Sequence, residues 1–386
     1  MANSINIYLD YQASTPLCDE AKEAMLEAEN QAFANPHSSD HNYGWKASSY
    51  IDDSNEVMCN FLNATSDEII FTSGATESNN LAILGSAFSA LKNKSQKNKI
   101  ITSAIEHKCV IGAAKFANSH LGFEHESIPV NNEGIIDLRA LEKAANNNTL
   151  IVSVMAVNNE IGTIQPLKEI GEICRKNGAL FHVDASQALY EKIDPELLKI
   201  DLLSLSSHKM YGPKGVGLLY INKNISIKPT AIFSGGEQQN GFRSGTMPTP
   251  LIYGFAKAAE YLDKNKDSEK SRLLFLRNKM LAELEKAVSN FKLNGSLENR
   301  HAGNINILIP NIDGKTLIAK TQPFLAISTG SACTSGIPEP SHVLRSIGLN
   351  TNEAESSIRV SIGRYTTEEE IERAVQLIKQ AYDSLI

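Results

Sequence analysis

Between Ile69 and Ile221, short apolar runs rich in β-branched residues alternate with longer stretches of helical period. The runs are Ile69–Thr72, Ile100–Ser103, Leu150–Val157, Leu180–Val183, Leu202–Ser206 and Val216–Ile221. The helical stretches include Glu77–Leu91 and Leu167–Lys176. A strand that is apolar along its whole length must be covered on both faces, and a helix between strands is the crossover that parallel pairing requires. The pattern predicts an α/β architecture, a mostly parallel sheet with helices on both sides.

After about residue 256 the pattern changes. A charged stretch, Leu262–Lys270 (LDKNKDSEK), precedes a predicted helix with apolar residues at Leu273, Leu276, Met280, Leu284 and Val288. A strand follows at Ile305–Pro310. The chain closes on a helix from about Thr367, with Glu368, Glu369 and Glu370 in its first turn, where the helix dipole favours acids. This reads as a smaller α+β domain. With 386 residues the chain exceeds the ~250–300 at which single cores stop growing. Two domains are expected: a large one over 14–256, and a small one made of 1–13 and 257–386.

Composition bounds the function. The chain is 42% hydrophobic and 21% charged, ordinary for a globular protein. Its net charge of -7 gives no overall pull toward nucleic acid or an anionic membrane, so neither is expected as a direct partner. No apolar run approaches the ~18–20 residues that span a bilayer. The N-terminus, MANSINIYLDYQ, lacks the basic start and apolar stretch of a secretory signal. Cys18, Cys59, Cys109, Cys174 and Cys333 are odd in number, far apart and without a CxxC pair, so neither a disulfide framework nor a zinc site is expected. A reducing cytoplasm fits, and it leaves a thiol free for chemistry.

Three segments carry chemistry. In FTSGATESN (Phe71–Asn79) a strand ends, a Gly turns the chain and a helix begins with small residues and hydroxyls. Free N–H groups at such a start form an anion site, to which Thr76 can add a hydroxyl; an ordinary helix cap is the alternative. In FHVDASQ (Phe181–Gln187) Asp184 closes a buried strand, where a carboxylate needs a charged partner. That partner can be a helix cap, an Arg or a protonated pyridine nitrogen. In SLSSHKMYGPKGVG (Ser204–Gly217) a strand runs into Ser206, His208 and Lys209. A strand-end lysine is usually solvated. An anion cradle, a ring-nitrogen acid and a Schiff-base lysine together make up a pyridoxal-phosphate site.

These motifs, with EHK, VNNEIG, RSGT and GSACTSG, occur in an order that resembles the cysteine desulfurases of the NifS/IscS type. Those are class-V aminotransferase-like enzymes of pyridoxal-phosphate (PLP) fold type I. The resemblance runs from YLDYQASTP (Tyr8–Pro16) to GRYTTEEEI (Gly363–Ile371), nearly the whole chain. It implies a seven-stranded sheet in the large domain and a catalytic cysteine loop in the small one. Lys209 would hold the cofactor and move the substrate's Cα proton, and Asp184 would keep the pyridine nitrogen protonated. His107 would stack on the ring and act as an acid/base. Asn159 and Gln187 would contact the ring and its phenolic oxygen, Asn159 also lying at the substrate position. Ala75, Thr76, Ser206 and His208 would bind the phosphate, which Thr246 would reach from the partner subunit of a homodimer. Arg359 would clamp the substrate carboxylate.

Cys333 lies in STGSACTSG, whose small and hydroxyl residues suit a loop better than a core. The resemblance makes it the nucleophile that takes sulfur from L-cysteine as a persulfide, leaving L-alanine, and the segment has the longer of the family's two loop forms. The other four cysteines read as buried small hydrophobes. No metal site is expected, though Cys333 could ligate an iron–sulfur cluster in transfer. Sulfur would pass to an acceptor protein in iron–sulfur cluster assembly, in tRNA or thiocofactor synthesis, or in sulfur modification of the DNA backbone. The chain stops at Ile386 without the tail that housekeeping members use to dock their scaffold protein, so a dedicated acceptor is also expected. Ala34 before Asn-Pro and Gln12 in DYQAST depart from the family pattern. A different pyridoxal lyase or transaminase on this fold would need no thiol at 333. A subunit that only binds partners would have no use for Lys209, Asp184, His107 and Cys333 together.

Overall fold

A computed structural model describes residues 6–329 and 340–386. Its central sheet has seven strands in the order Ile69–Thr72, Gly217–Ile221, Leu202–Ser206, Leu180–Asp184, Thr149–Ser153, Lys99–Ser103 and Glu124–Ile128. Gly217–Ile221 runs antiparallel to both of its neighbours, and every other pair is parallel. The predicted strands are all present. Leu150–Val157 is shortened, since pairing ends at Ser153 and the chain then leaves the sheet toward Asn159.

Residues along the strands divide between two separate cores, which is why both faces are covered. Phe181, Val183, Leu203 and Leu205 pack with helices Asn42–Leu62, Leu167–Lys176 and Thr249–Ala287. Ile70, Ile100, Leu150 and Leu202 pack on the other face with Ala75–Lys92 and Lys108–Leu121. Glu124–Ile128 (EHESI) carries no apolar pattern because it is the edge strand, exposed along most of its length.

A second, three-stranded antiparallel sheet joins Ser357–Ser361, Asn304–Leu308 and Lys292–Leu293. The N-terminal segment reaches it: Ile7–Tyr8 pairs with Leu325–Ala326, and Asp10 bridges to Ser361. The helix Thr249–Ala287 runs between the two sheets without a break, and residue 256 lies inside it. Its charged middle is helical surface, laced by Lys264–Glu260 and Lys266–Asp263 ion pairs one turn apart. Before that stretch the helix buries Phe255 and Ala259, and after it Leu273, Met280 and Leu284. The last helix, Glu368–Asp383, starts on a capping box of Thr367 and Glu370. Among the described residues no helix is long and apolar enough to cross a membrane.

Candidate active site

The strands of the central sheet that run parallel end along one edge, and the candidate residues follow those ends. Ile69–Thr72 leads through Ser73 and Gly74 into the helix Ala75–Lys92, and Lys99–Ser103 leads to Glu106 and His107. Thr149–Ser153 leads to Asn159, and the next strand closes on Asp184 itself. Leu202–Ser206 passes into the single turn Ser207–Lys209. Open α/β sheets bind ligands in the crevice outside these carboxyl ends. Here the crevice is a cavity of about 420 Å³.

One wall is an anion cradle. Gly74 has φ +148°, open to glycine and strained for other residues, and it turns the chain from strand to helix. No side chain caps the helix start, so its first N–H groups are left for a ligand, with Ala75 and Thr76 at the wall. Ser206 and His208 face the same space. Burial, then Lys209 and Lys214, push the His208 pKa down to about 4, so the ring is neutral. Its Nδ1 lies 3.2 Å from the Ser14 hydroxyl.

Lys209 and Asp184 stand on neighbouring strand ends. The Lys209 amine donates to the carbonyls of Gln12 at 2.7 Å and Ala13 at 2.8 Å, and Gln187 donates to the same Gln12 carbonyl at 2.9 Å. Asp184 is 6% exposed; one oxygen accepts from Asn79 Nδ2 at 2.8 Å and the other from the Ser186 N–H at 3.0 Å. His107 caps the helix Lys108–Leu121, its Nδ1 accepting from the Cys109 N–H at 3.3 Å. Burial lowers the His107 pKa, with Asp184 opposing.

Arg359 enters from the three-stranded sheet. It is buried, donating to the Asn159 carbonyl and to the Asp10 carboxylate, each at 2.7 Å. Its Nε lacks a hydrogen-bond partner among the described residues. Thr246 is exposed and is not part of this cavity in a single chain. Cys333 lies outside the described residues. Four participants have no local signal of their own in the sequence. Gln12 acts through its carbonyl, Asn79 and Glu77 sit inside a motif whose glycine and hydroxyls draw the eye, and Cys109 lines the cavity while also packing against a core.

Known proteins resemble this chain over nearly its whole length. Residues 7–374 match the class-V aminotransferase family. The cysteine desulfurase IscS of Rickettsia rickettsii (strain Iowa) is 46% identical over 385 residues, 99% of this chain and 92% of that protein. The chain belongs to the cysteine desulfurases. Among solved structures, a NifS-like protein gives a TM-score of 0.91 at 32% identity, over 99% of this chain and 100% of that one. SspA, solved in complex with cysteine, gives 0.82 at 36% identity, over 94% and 100%.

A cysteine desulfurase of this class is a PLP-dependent enzyme of fold type I. The donor set fits the cofactor: an uncapped helix start for a phosphate, a buried carboxylate held by two neutral donors for a pyridinium, and a primary amine between them. The buried, incompletely paired Arg359 leaves donors for a substrate carboxylate.

Proposed function

We propose that this cavity converts L-cysteine to L-alanine and loads the released sulfur on Cys333. The observation that carries the reading is the convergence of the Lys209 amine, Asp184, His107, the uncapped helix start and Arg359 on one cavity. Bound PLP would supply an electron-accepting ring to the chemistry at the substrate's Cα. Lys209 would hold the cofactor covalently and move the Cα proton. Asp184 keeps the ring nitrogen protonated, and Asn79 and the Ser186 N–H hold that carboxylate in line. His107 would stack on the ring and handle a proton, Asn159 and Gln187 would orient the ring, and Ala75, Thr76, Ser206 and His208 would receive the phosphate. Arg359 grips the substrate carboxylate.

The Cys333 thiolate attacks the substrate sulfur. The Cβ–S bond breaks, the carbon keeps the electron pair and takes a proton, and the persulfide stays on Cys333. The four described thiols support this choice, because burial raises the pKa of each: Cys59 to about 11, Cys109 to about 12, and Cys18 and Cys174 upward as well. A thiol held protonated is a poor nucleophile.

The division into 14–256 and 1–13 with 257–386 assigns positions 333 and 359 by sequence to the small domain and Lys209 to the large one. A homodimer in the cytoplasm completes the reading, with Thr246 serving the partner's phosphate. Phe33, Tyr43 and Trp45, all more than half exposed, are the kind of apolar surface that a second copy covers. Sulfur then passes to an acceptor protein in iron–sulfur assembly, in tRNA or thiocofactor synthesis, or in DNA-backbone sulfur modification.

The test is Lys209→Ala. Wild type should show a band near ~420 nm and release alanine from cysteine, and the variant should do neither. Alanine release at the wild-type rate by the variant contradicts the assignment.

A further inference from the structure

Cys109 stands apart from the other described cysteines. Cys18 and Cys174 are buried among apolar side chains, whereas Cys109 is the second residue of helix Lys108–Leu121 and faces the cavity. Its sulfur lies 3.2 Å from Asn79 Nδ2 and 3.0 Å from His107 Nδ1.

The direction of each bond follows from its neighbours. The Cys109 backbone N–H donates to His107 Nδ1, so that nitrogen carries a lone pair and the neutral ring holds its proton on Nε2. Only the S–H can then serve as donor between Cys109 and Nδ1. Asn79 spends its two amide hydrogens on the Asp184 carboxylate, at 2.8 Å, and on the Cys109 sulfur. The flipped amide would set the Asn79 oxygen against that carboxylate, which like charge forbids. The outcome is one directed relay: Asn79 donates to Asp184 and to Cys109, and Cys109 donates to His107.

We propose that Cys109 is a positioning residue whose thiol, oriented by Asn79, joins its own backbone N–H in holding His107 neutral as the Nε2–H tautomer, so that the ring nitrogen not engaged by Cys109 is a hydrogen-bond donor. This rests on the reading of His107 as the proton-handling group and sharpens it. A neutral ring whose one lone pair is already engaged can donate a hydrogen bond from Nε2, but it cannot take a proton there. His107 in this tautomer is therefore a hydrogen-bond donor at Nε2 and no base there, and the Cys333 thiol must lose its proton elsewhere. Burial, followed by the charge of Asp184, pushes the Cys109 pKa up to about 12, which keeps the S–H in place as a donor. The charged groups that bear on His107 are Asp184 and Glu160, which raise its pKa, and Lys209 and His342, which lower it; Glu106 precedes it in the chain. Cys109 adds a preference between the two ring nitrogens, which none of these charges supplies.

The test is nitrogen NMR on ¹⁵N-histidine-labelled protein, with the His107 signals assigned by their loss in His107→Gln. Wild type and Cys109→Ser should both show the proton on Nε2. Cys109→Ala keeps the backbone donor but loses the side-chain one; the tautomer should stay Nε2–H, while the His107 midpoint should rise by about one pH unit. A wild-type ring protonated on Nδ1 overturns the proposal, as does a Cys109→Ala protein with the wild-type midpoint. The spectra need no turnover, so absence of alanine production in wild type would sink the function while leaving the tautomer result to be judged alone.

Discussion

The Arg243 guanidinium closes on the Glu77 carboxylate at 2.9 Å, tying the RSGT segment to the first turn of the helix that begins at the cavity. Glu77 also accepts the Ser73 N–H at 2.7 Å. Four residues before Arg243, the Gln239 amide pairs with both polar groups of Phe71, accepting its N–H at 2.7 Å and donating to its carbonyl at 2.9 Å. One loop thus grips the strand before Gly74 and the helix after it. Arg243→Ala would leave a buried carboxylate unpaired beside the phosphate position. Cofactor affinity, measured by titrating the apoprotein with PLP, should fall by about ten- to a hundredfold. An unchanged affinity would mean that the cradle holds its shape without this pair.

Asp184→Asn should fold and bind cofactor, since its amide oxygen can keep one of the two donors, Asn79 or the Ser186 N–H. A neutral amide cannot keep the ring nitrogen protonated, so alanine formation should drop by about a hundredfold or more at saturating cysteine. A wild-type rate would make Asp184 a structural cap.

Gly217 lies against Gly74, which follows the end of the neighbouring strand, and a Cβ at 217 would lie 2.6 Å from the Gly74 Cα and 2.7 Å from the Leu205 carbonyl. Both obstacles are backbone and cannot swing away. Gly217→Ala should cost about 1–3 kcal/mol in chemical denaturation and weaken PLP binding as well, because the displaced atoms belong to the cradle. Wild-type stability would show that the two strands can part without loss.

Glu106 gives the fold a pH signature. It is fully buried, accepting from the Ser103 hydroxyl and from the Met155 N–H at 2.8 Å, and burial pushes its pKa up to about 8. Between the ordinary value near 4.5 and about 8 the folded state keeps a proton that the unfolded chain has lost, so this contribution to stability falls as pH rises through that window. His182 and His301, lowered to about 4 by burial, act oppositely, and their contribution is lost as pH falls from 6.5 toward 4. Comparing wild type with Glu106→Gln cancels the histidines. The stability difference, wild type minus variant, should decline steadily from pH 5 to pH 8; a flat difference would mean that Glu106 is ionised in the fold.

Much of this was legible in the chain because doubly buried strands such as Leu202–Ser206 have no polar alternation to obscure them. The edge strand Glu124–Ile128 was not, since its exposed residues follow no apolar pattern. The charged stretch near Lys264 reads as a boundary, yet helix continuity there is set by packing at both ends, by Phe255 before it and Met280 after it. At the site, the motif residues Lys209, Asp184 and His107 announce themselves. Their supports do not: the Gln12 carbonyl meets Lys209 across 197 positions, and Asn79 meets Asp184 across 105. Cys109 shows why residue type alone misleads, since its thiol is a directed hydrogen-bond partner of His107.

The central claim is that sulfur leaves cysteine for Cys333. The direct measurement is to incubate wild type and Cys333→Ser with L-cysteine, then weigh the peptide containing residue 333 and assay alanine. A serine hydroxyl has far too high a pKa to replace a thiolate in attack on sulfur. Wild type should gain sulfur on that peptide and release alanine, while the variant should bind cofactor and do neither. Full alanine production by Cys333→Ser would contradict the account.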